Sequence, residues 1–193
     1  MLSWHIFPSF STARTDRRAL LRVALRTSHY YRYLTPKWAF LPTSGAGAAR
    51  AGGRFNRPGV EALYLSAEPE TALAEYSQGS SLPKPATLAA YRLELGDVVD
   101  LSAGYDPDHR SAPWANWNCD WRWIARVEHK IPPSWRLGDE TISSDVRGLL
   151  FTSTDHAGGI NLVVFSANLA TDDRLAVHDP DDMLPKDQRS WEP

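Results

Sequence analysis

The chain has 193 residues, of which 42% are hydrophobic and 23% charged, with a formal net charge of −2, so we expect one globular domain and exclude widespread disorder. A charge so close to neutral argues against a nucleic-acid partner, because phosphate binding needs a concentrated positive field. The single Cys119, the lack of a membrane-length apolar run and a start without a secretory signal predict a cytoplasmic protein that binds no membrane.

The first third of the chain predicts helix, loop, strand and helix in turn. A stripe of small apolar residues favours an N-terminal helical extension over residues 11–29. A Gly, Ala and Pro-rich loop follows over 42–59, with one helical turn at Gly47–Ala51. Val60–Ser66 predicts a strand and Glu70–Ser77 a helix, with Ser66 as the expected N-cap.

The second half contains more strands. Thr87–Leu95 and Val98–Leu101 are predicted as two strands, and Leu149–Ser153 and Asn161–Phe165 as two more around a tight Gly-Gly connection. A Trp-rich segment over 102–133 has rings at helical spacing, which predicts a partly helical insertion. The mixture predicts an α+β fold in one domain.

One stretch carries three chemical groups that suit cleavage of NAD. Arg54 follows the Gly-rich loop, Tyr64 lies in the strand and Glu75 in the helix. A guanidinium binds phosphate oxygens in pairs, and an aromatic face stacks on nicotinamide. A carboxylate stabilises the positive charge that develops on the ribose, as in glycoside hydrolysis.

Each of these residues also has a structural interpretation. Arg54 alone suits a surface ion pair, Tyr64 a core ring and Glu75 a solvated helix face. Metal, P-loop, Rossmann and serine-hydrolase interpretations lack their residue spacings, so we expect no metal cofactor. His156 with Asp155 indicates a turn.

The same stretch resembles the RES domain family, which is named for Arg, Glu and Ser positions. The matching loop is Gly52–Asn56, followed by Tyr64 and Glu75, and the Ser corresponds to Ser153 before a second Gly-Gly turn. Thr154 and Asp155 depart from the Arg that relatives often carry after the Ser. Phe55 replaces the commoner Trp and keeps a stacking face.

The resemblance implies roles for most of these residues. Arg54 would bind the pyrophosphate or ribose-phosphate side of NAD, Tyr64 would stack on nicotinamide, and Glu75 would stabilise the cation. Asn56 and Ser153 would contact the ribose or support the site from behind.

Further consequences of the resemblance concern the loop, the fold and the partners. Ser44 and Arg50 are additional candidates for contacts with NAD phosphates. The implied fold is a split β-sheet core with surrounding helices, over about residues 30–170, similar to diphtheria-toxin-like ADP-ribosyltransferases. The implied partners are an antitoxin whose C-terminal segment blocks the site and a cellular target, such as an enzyme of phosphoribosyl-pyrophosphate synthesis.

Three functions remain open at this point. The first is a toxin that transfers ADP-ribose from NAD to a cellular protein, which the aromatic-rich surface favours slightly. The second is a toxin that degrades NAD with water or phosphate as acceptor. The third is a non-catalytic module that binds a nucleotide or an antitoxin.

Overall fold

The computed structural model describes residues 22–82, 84–107 and 112–189. These residues form six strands, four α-helices and three 3₁₀ turns. The strands are β1 (Arg22–Leu34), β2 (Leu63–Ser66), β3 (Thr87–Asp100), β4 (Gly148–Thr152), β5 (Ile160–Val164) and β6 (Arg174–Val177). The helices are α1 (Ala46–Ala51), α2 (Pro69–Ser77), α3 (Trp121–Arg126) and α4 (Pro133–Ser143), and the 3₁₀ turns are Pro36–Trp38, Ala112–Asn116 and Ser166–Asn168.

The strands pair in the order β1-β2-β5-β4-β3-β6, and β1 also pairs with β3. Five strands therefore close into a ring, with β6 added to β3. All pairs are antiparallel except β3 with β4. The ring brings the ends of β2 and β5 side by side, with Ser66 opposite Asn161.

Two apolar clusters lie on the two sides of the central strands. One cluster takes buried residues from all five strands of the ring, including Leu65, Tyr91 and Leu162. The other packs Val163 of β5 against Phe55 and Leu137, which belong to the loop after α1 and to α4. Successive residues of β5 thus face opposite sides, as strand geometry requires, and the strand is buried on both faces.

The fold confirms a mixed α/β domain built around a β-sheet core, and the predicted turn, strand and helix around residues 46–77 are present. The ADP-ribosyltransferase-like arrangement of the sheet stays a prediction. No helix in the described parts of the chain is long and apolar enough to span a membrane.

The predicted N-terminal helix is wrong over residues 22–29, which belong to β1, while residues 11–21 lie outside the described residues. The strand forms because β1 pairs with β3 along most of its length, from Arg22 opposite Val99 to Leu34 opposite Thr87. This long-range pairing overrides the local helical pattern, whose intrinsic preference is weak.

Other differences are local. Ser66 ends β2 instead of capping α2, whose N-cap is Glu68 followed by Pro69. The two strands expected between Thr87 and Leu101 are one continuous strand, which passes through a left-handed residue at Asp97. The sequence interpretation also missed α4 and β6.

Candidate active site

A cleft of about 470 Å³ lies between the loop after α1, β2, α2 and α3. Arg54, Tyr64 and Glu75 all line it, although they come from three different elements. The fold therefore brings together the three residues that the sequence singled out as a group. Arg32, Arg122 and Asn161 also line this cleft.

The loop after α1 is built around the hydroxyl of Tyr64. This hydroxyl donates a hydrogen bond to Asn56 Oδ1 at 2.9 Å and accepts one from the Phe55 backbone N–H at 2.9 Å. A Cβ on Gly53 would lie 2.5 Å from the same hydroxyl, so only glycine fits there. Burial raises the pKa of Tyr64, which stays protonated. Tyr64 also lines the cleft.

Arg54 is held by neutral partners. Its Nη1 donates to the Cys119 carbonyl at 3.0 Å and its Nη2 to Thr154 Oγ1 at 3.3 Å. Thr154, one of the departures from the family pattern, thus helps to orient the guanidinium. Burial lowers the pKa of Arg54. Within the described residues no carboxylate forms an ion pair with it.

Glu75 is held through one of its two carboxylate oxygens. Oε1 accepts hydrogen bonds from Ser153 Oγ at 2.7 Å and from Asn161 Nδ2 at 2.6 Å. Ser153 Oγ in turn accepts the backbone N–H groups of Asp155 and His156, at 3.1 and 2.9 Å. Bonds of this length to an ionised acceptor are among the strong ones. They fix where the carboxylate points.

Ser153 and Asn56 act behind the cleft and do not line it. Asn56 is 1% exposed and its amide donates to the carbonyls of Ala48 at 3.0 Å and Val60 at 2.8 Å. With its Oδ1 bound to Tyr64, the Asn56 side chain has no group left for a ribose. It supports the loop.

Ser44 and Arg50 also lie outside the cleft lining. Ser44 Oγ accepts the N–H of Ala46 at 3.1 Å at the start of α1, and Arg50 is exposed on that helix. The expected contacts of these two side chains with NAD phosphates are not supported by their positions. Ser44 contributes its carbonyl instead, which accepts a hydrogen bond from Arg32 Nη1 at 3.1 Å.

The sequence interpretation missed several cleft residues, among them two arginines and an asparagine. Arg32 lies beyond the predicted helix of residues 11–29, in a stretch for which no element was predicted, although a charged residue among the tyrosines of β1 was a signal for a strand with a functional face. Burial lowers the pKa of Arg32. Asn161 was overlooked inside an apolar strand, where a residue of poor strand propensity is informative. Arg122 is the third of these residues. Its Cζ atom lies 4.7 Å from the ring centroid of Trp121, which also lines the cleft.

The described residues contain no cluster of three or more metal-ligating side chains. The cleft instead gathers guanidinium groups, an aromatic face and one oriented carboxylate. These groups can together hold a small anionic molecule with an aromatic part.

Comparison with known proteins identifies the family. The sequence matches the RES domain over residues 29–187, and the chain therefore belongs to this family. Its fold is similar to a chain of the M. tuberculosis MbcT–MbcA toxin–antitoxin complex, with a TM-score of 0.55 and 21% identity. That similarity covers 85% of this chain and 86% of the other. No curated protein matches the sequence.

Proposed function

We propose that this chain is the toxin of a toxin–antitoxin pair, that it cleaves NAD at the nicotinamide–ribose bond, and that it transfers ADP-ribose to a cellular protein. The observation that carries the proposal is the convergence of Arg54, Tyr64 and Glu75 on one cleft. Membership of the RES domain family and the likeness to a chain of a toxin–antitoxin complex support the wider role.

Arg54 and Arg32 bind the pyrophosphate of NAD in this proposal. Both guanidinium groups line the cleft, and their protein partners are carbonyl and hydroxyl oxygens. Since these partners carry no formal charge, the two cations remain available for an anion. Arginine suits this task because its planar fork matches phosphate oxygens in pairs.

Tyr64 contributes its ring and not its hydroxyl. The hydroxyl is used by Asn56 and Phe55, and burial raises its pKa, so it is a poor proton donor or acceptor for the substrate. The ring face borders the cleft and stacks on nicotinamide.

Glu75 stabilises the transition state. The bond between ribose C1′ and the nicotinamide nitrogen breaks, and its electron pair neutralises the pyridinium ring, which leaves without needing a proton. Positive charge builds on the ribose, and a fixed carboxylate in a water-poor site stabilises it. The acceptor then attacks C1′ and loses its proton.

The acceptor is assigned to a protein because the surface next to the cleft is apolar and aromatic. Trp123 and Val127, in or just after α3, are 54% and 52% exposed, and Trp121 of the same helix lines the cleft. Such exposed aromatic surface is typical of protein docking sites. We propose an enzyme of phosphoribosyl-pyrophosphate synthesis as a target and the cytoplasm as the place of action.

The proposed partner is an antitoxin whose C-terminal segment occupies the cleft. The support is the likeness of the fold to a chain of a solved toxin–antitoxin complex. A peptide of that segment is expected to compete with NAD for Arg54.

Labelled NAD tests the proposal. The purified chain is incubated with cell lysate and NAD that carries ³²P in the adenylate phosphate. A labelled protein band is expected, and it should be absent with Glu75→Gln. Glu70→Gln is the matched control, because Glu70 lies exposed on the same helix and does not line the cleft.

Other products would change the proposed acceptor, and the absence of any product would contradict the proposal. Free ADP-ribose would replace the protein acceptor with water, and phosphorylated ADP-ribose would replace it with phosphate. Intact NAD under all conditions would contradict the catalytic role and leave a binding module.

A further inference from the structure

We propose that Asn161 and Ser66 are positioning residues for Glu75. Ser66 orients the amide of Asn161, and the amide fixes the Glu75 carboxylate towards the cleft. This inference rests on the proposed function, in which Glu75 acts on the ribose.

The three side chains form one hydrogen-bonded chain across two strands and a helix. Ser66 Oγ donates to Asn161 Oδ1 at 2.7 Å, and Asn161 Nδ2 donates to Glu75 Oε1 at 2.6 Å. Ser66 and Asn161 are direct cross-strand partners in β2 and β5, and each is 4% exposed. Both residues also line the cleft, and together they hold one carboxylate oxygen in place.

The direction of this chain follows from the chemistry of its end. An ionised carboxylate only accepts hydrogen bonds, so the amide must present its NH₂ group to Glu75. The amide oxygen then faces Ser66, whose hydroxyl donates to it. A flipped amide would place two oxygens 2.6 Å apart and lose both bonds. The arrangement therefore fixes the orientation of the amide and, through it, of the carboxylate.

The two donors to Glu75 meet the same oxygen. Ser153 and Asn161 both bind Oε1, and no described residue forms a hydrogen bond with Oε2. One oxygen is used for positioning, and the other is left for the developing charge on the substrate. Ser153 belongs to the family pattern, whereas Asn161 and Ser66 add a second, independent anchor.

Several charged groups surround this carboxylate. Arg54 faces it from the loop after α1, Asp155 and His156 flank Ser153 in the loop after β4, and Arg32 lines the same cleft from β1. These groups are unchanged by substitutions at Asn161 or Ser66. A change in the turnover of those variants therefore reports on the amide itself.

The test compares Asn161→Leu, which keeps the size of the side chain and removes its donor, with Ser66→Ala, which only releases the amide. We expect Asn161→Leu to lower kcat for NAD cleavage on the order of tenfold to a hundredfold, with KM nearly unchanged. Ser66→Ala should lower kcat in the same way but by less, because the amide keeps its bond to Glu75.

Ser134→Ala is the matched control, because Ser134 is another buried serine and lies in α4, away from the cleft lining. It should leave kcat unchanged. A purely structural role for Asn161 and Ser66 would lower the amount of folded protein in their two variants without changing kcat per folded molecule.

A readout without NAD separates this inference from the proposed function. The Glu75 carboxyl carbon is observed by ¹³C NMR at neutral pH, with its signal assigned by comparison with Glu75→Gln. Its chemical shift should differ from that of the wild type in Asn161→Leu and Ser66→Ala, which change its hydrogen bonding, and match it in Ser134→Ala. An unchanged signal in both variants overturns the inference, whereas failure of the wild type to cleave NAD overturns the proposed function alone.

Discussion

Two regions of the molecule hold acidic and basic side chains in opposite ways. In the Arg147 cluster, formed by Asp97, Arg147 and Asp173, every charge meets its counterpart. Asp173 accepts the N–H groups of Gly96 at 2.8 Å and Ala170 at 2.7 Å as well as Arg147 Nε at 2.9 Å.

In the cleft, the charges are only partly satisfied. Arg54 meets a carbonyl and a hydroxyl, and Glu75 uses one oxygen. The difference teaches how to separate structural from functional ionised groups in one fold. A group whose hydrogen-bonding capacity is filled by the protein stabilises the fold, and a group left with free capacity at a cleft is available to a ligand.

The largest effect is expected for Glu75→Gln. It removes the negative charge with little change of shape, so NAD cleavage should fall by about 1,000-fold while Tm stays close to that of the wild type. Single-turnover cleavage assays and thermal unfolding measure the two quantities. A variant that retains full turnover would remove Glu75 from the mechanism.

Asp173→Asn should show the reverse pattern. Its side chain is 5% exposed and its partner Arg147 is 19% exposed, so the substitution leaves the guanidinium with only the more distant Asp97, whose Oδ2 lies 3.8 Å from Arg147 Nη1. We expect a loss of about 2 kcal/mol in the free energy of unfolding, measured by urea denaturation. Turnover per folded molecule should be unchanged. A loss of kcat without a loss of stability would contradict a purely structural role for Asp173.

Arg54→Ala should act on binding. Loss of a phosphate contact is expected to raise the Kd for NAD about tenfold, with a smaller effect on stability because the partners of Arg54 are neutral. Isothermal titration with NAD in the Glu75→Gln background measures binding without turnover. Arg147→Ala is the contrasting control. It should destabilise the fold, and the protein that remains folded should bind NAD with an unchanged Kd.

Tyr64→Phe tests whether Tyr64 acts on NAD through its ring or through its hydroxyl. The substitution keeps the aromatic face and removes the hydroxyl bonded to Phe55 and Asn56. Stability should fall by about 1 kcal/mol, with cleavage of NAD largely retained. Loss of cleavage in a folded Tyr64→Phe protein would show that the hydroxyl takes part in the chemistry.

The smallest effect at neutral pH concerns the free energy of unfolding, which should decrease as the pH falls into the acid range. Desolvation alone would raise the pKa of Asp173, but hydrogen bonds from Ala170, Gly96 and Arg147 together lower it. A lowered folded pKa contributes stability above the ordinary value for Asp, about 3.9, which is lost as the pH falls through the folded value. Urea denaturation between pH 7 and 3 should show this loss in the wild type and less of it in Asp173→Asn.

The sequence predicted the cleft better than the fold around it. The loop, strand and helix that carry Arg54, Tyr64 and Glu75 are consecutive, so local glycine, strand and helix signals were sufficient. Arg32 and Asn161 were missed because they reach the cleft through long-range pairing of β1 with β3 and of β5 with β2. A local signal can mark such a residue as unusual, but only the partner strand decides that it reaches the cleft.

The same physical reason explains the wrong helix over residues 22–29. An alternation of small apolar and basic residues fits a helix stripe as well as one face of a strand, and only the partner strand decides between them. The structural role of Asn56 also could not be predicted from the neighbouring sequence. Its amide is used by backbone carbonyls that come together only when the loop folds back on α1.

A crystal structure of Glu75→Gln with NAD is the most direct test of the central claim. We expect the pyrophosphate oxygens about 3 Å from the guanidinium groups of Arg54 and Arg32. The nicotinamide should lie on the ring of Tyr64, with ribose C1′ next to the side chain at position 75. NAD bound with its nicotinamide away from Tyr64 and its phosphates away from both arginines would contradict the account.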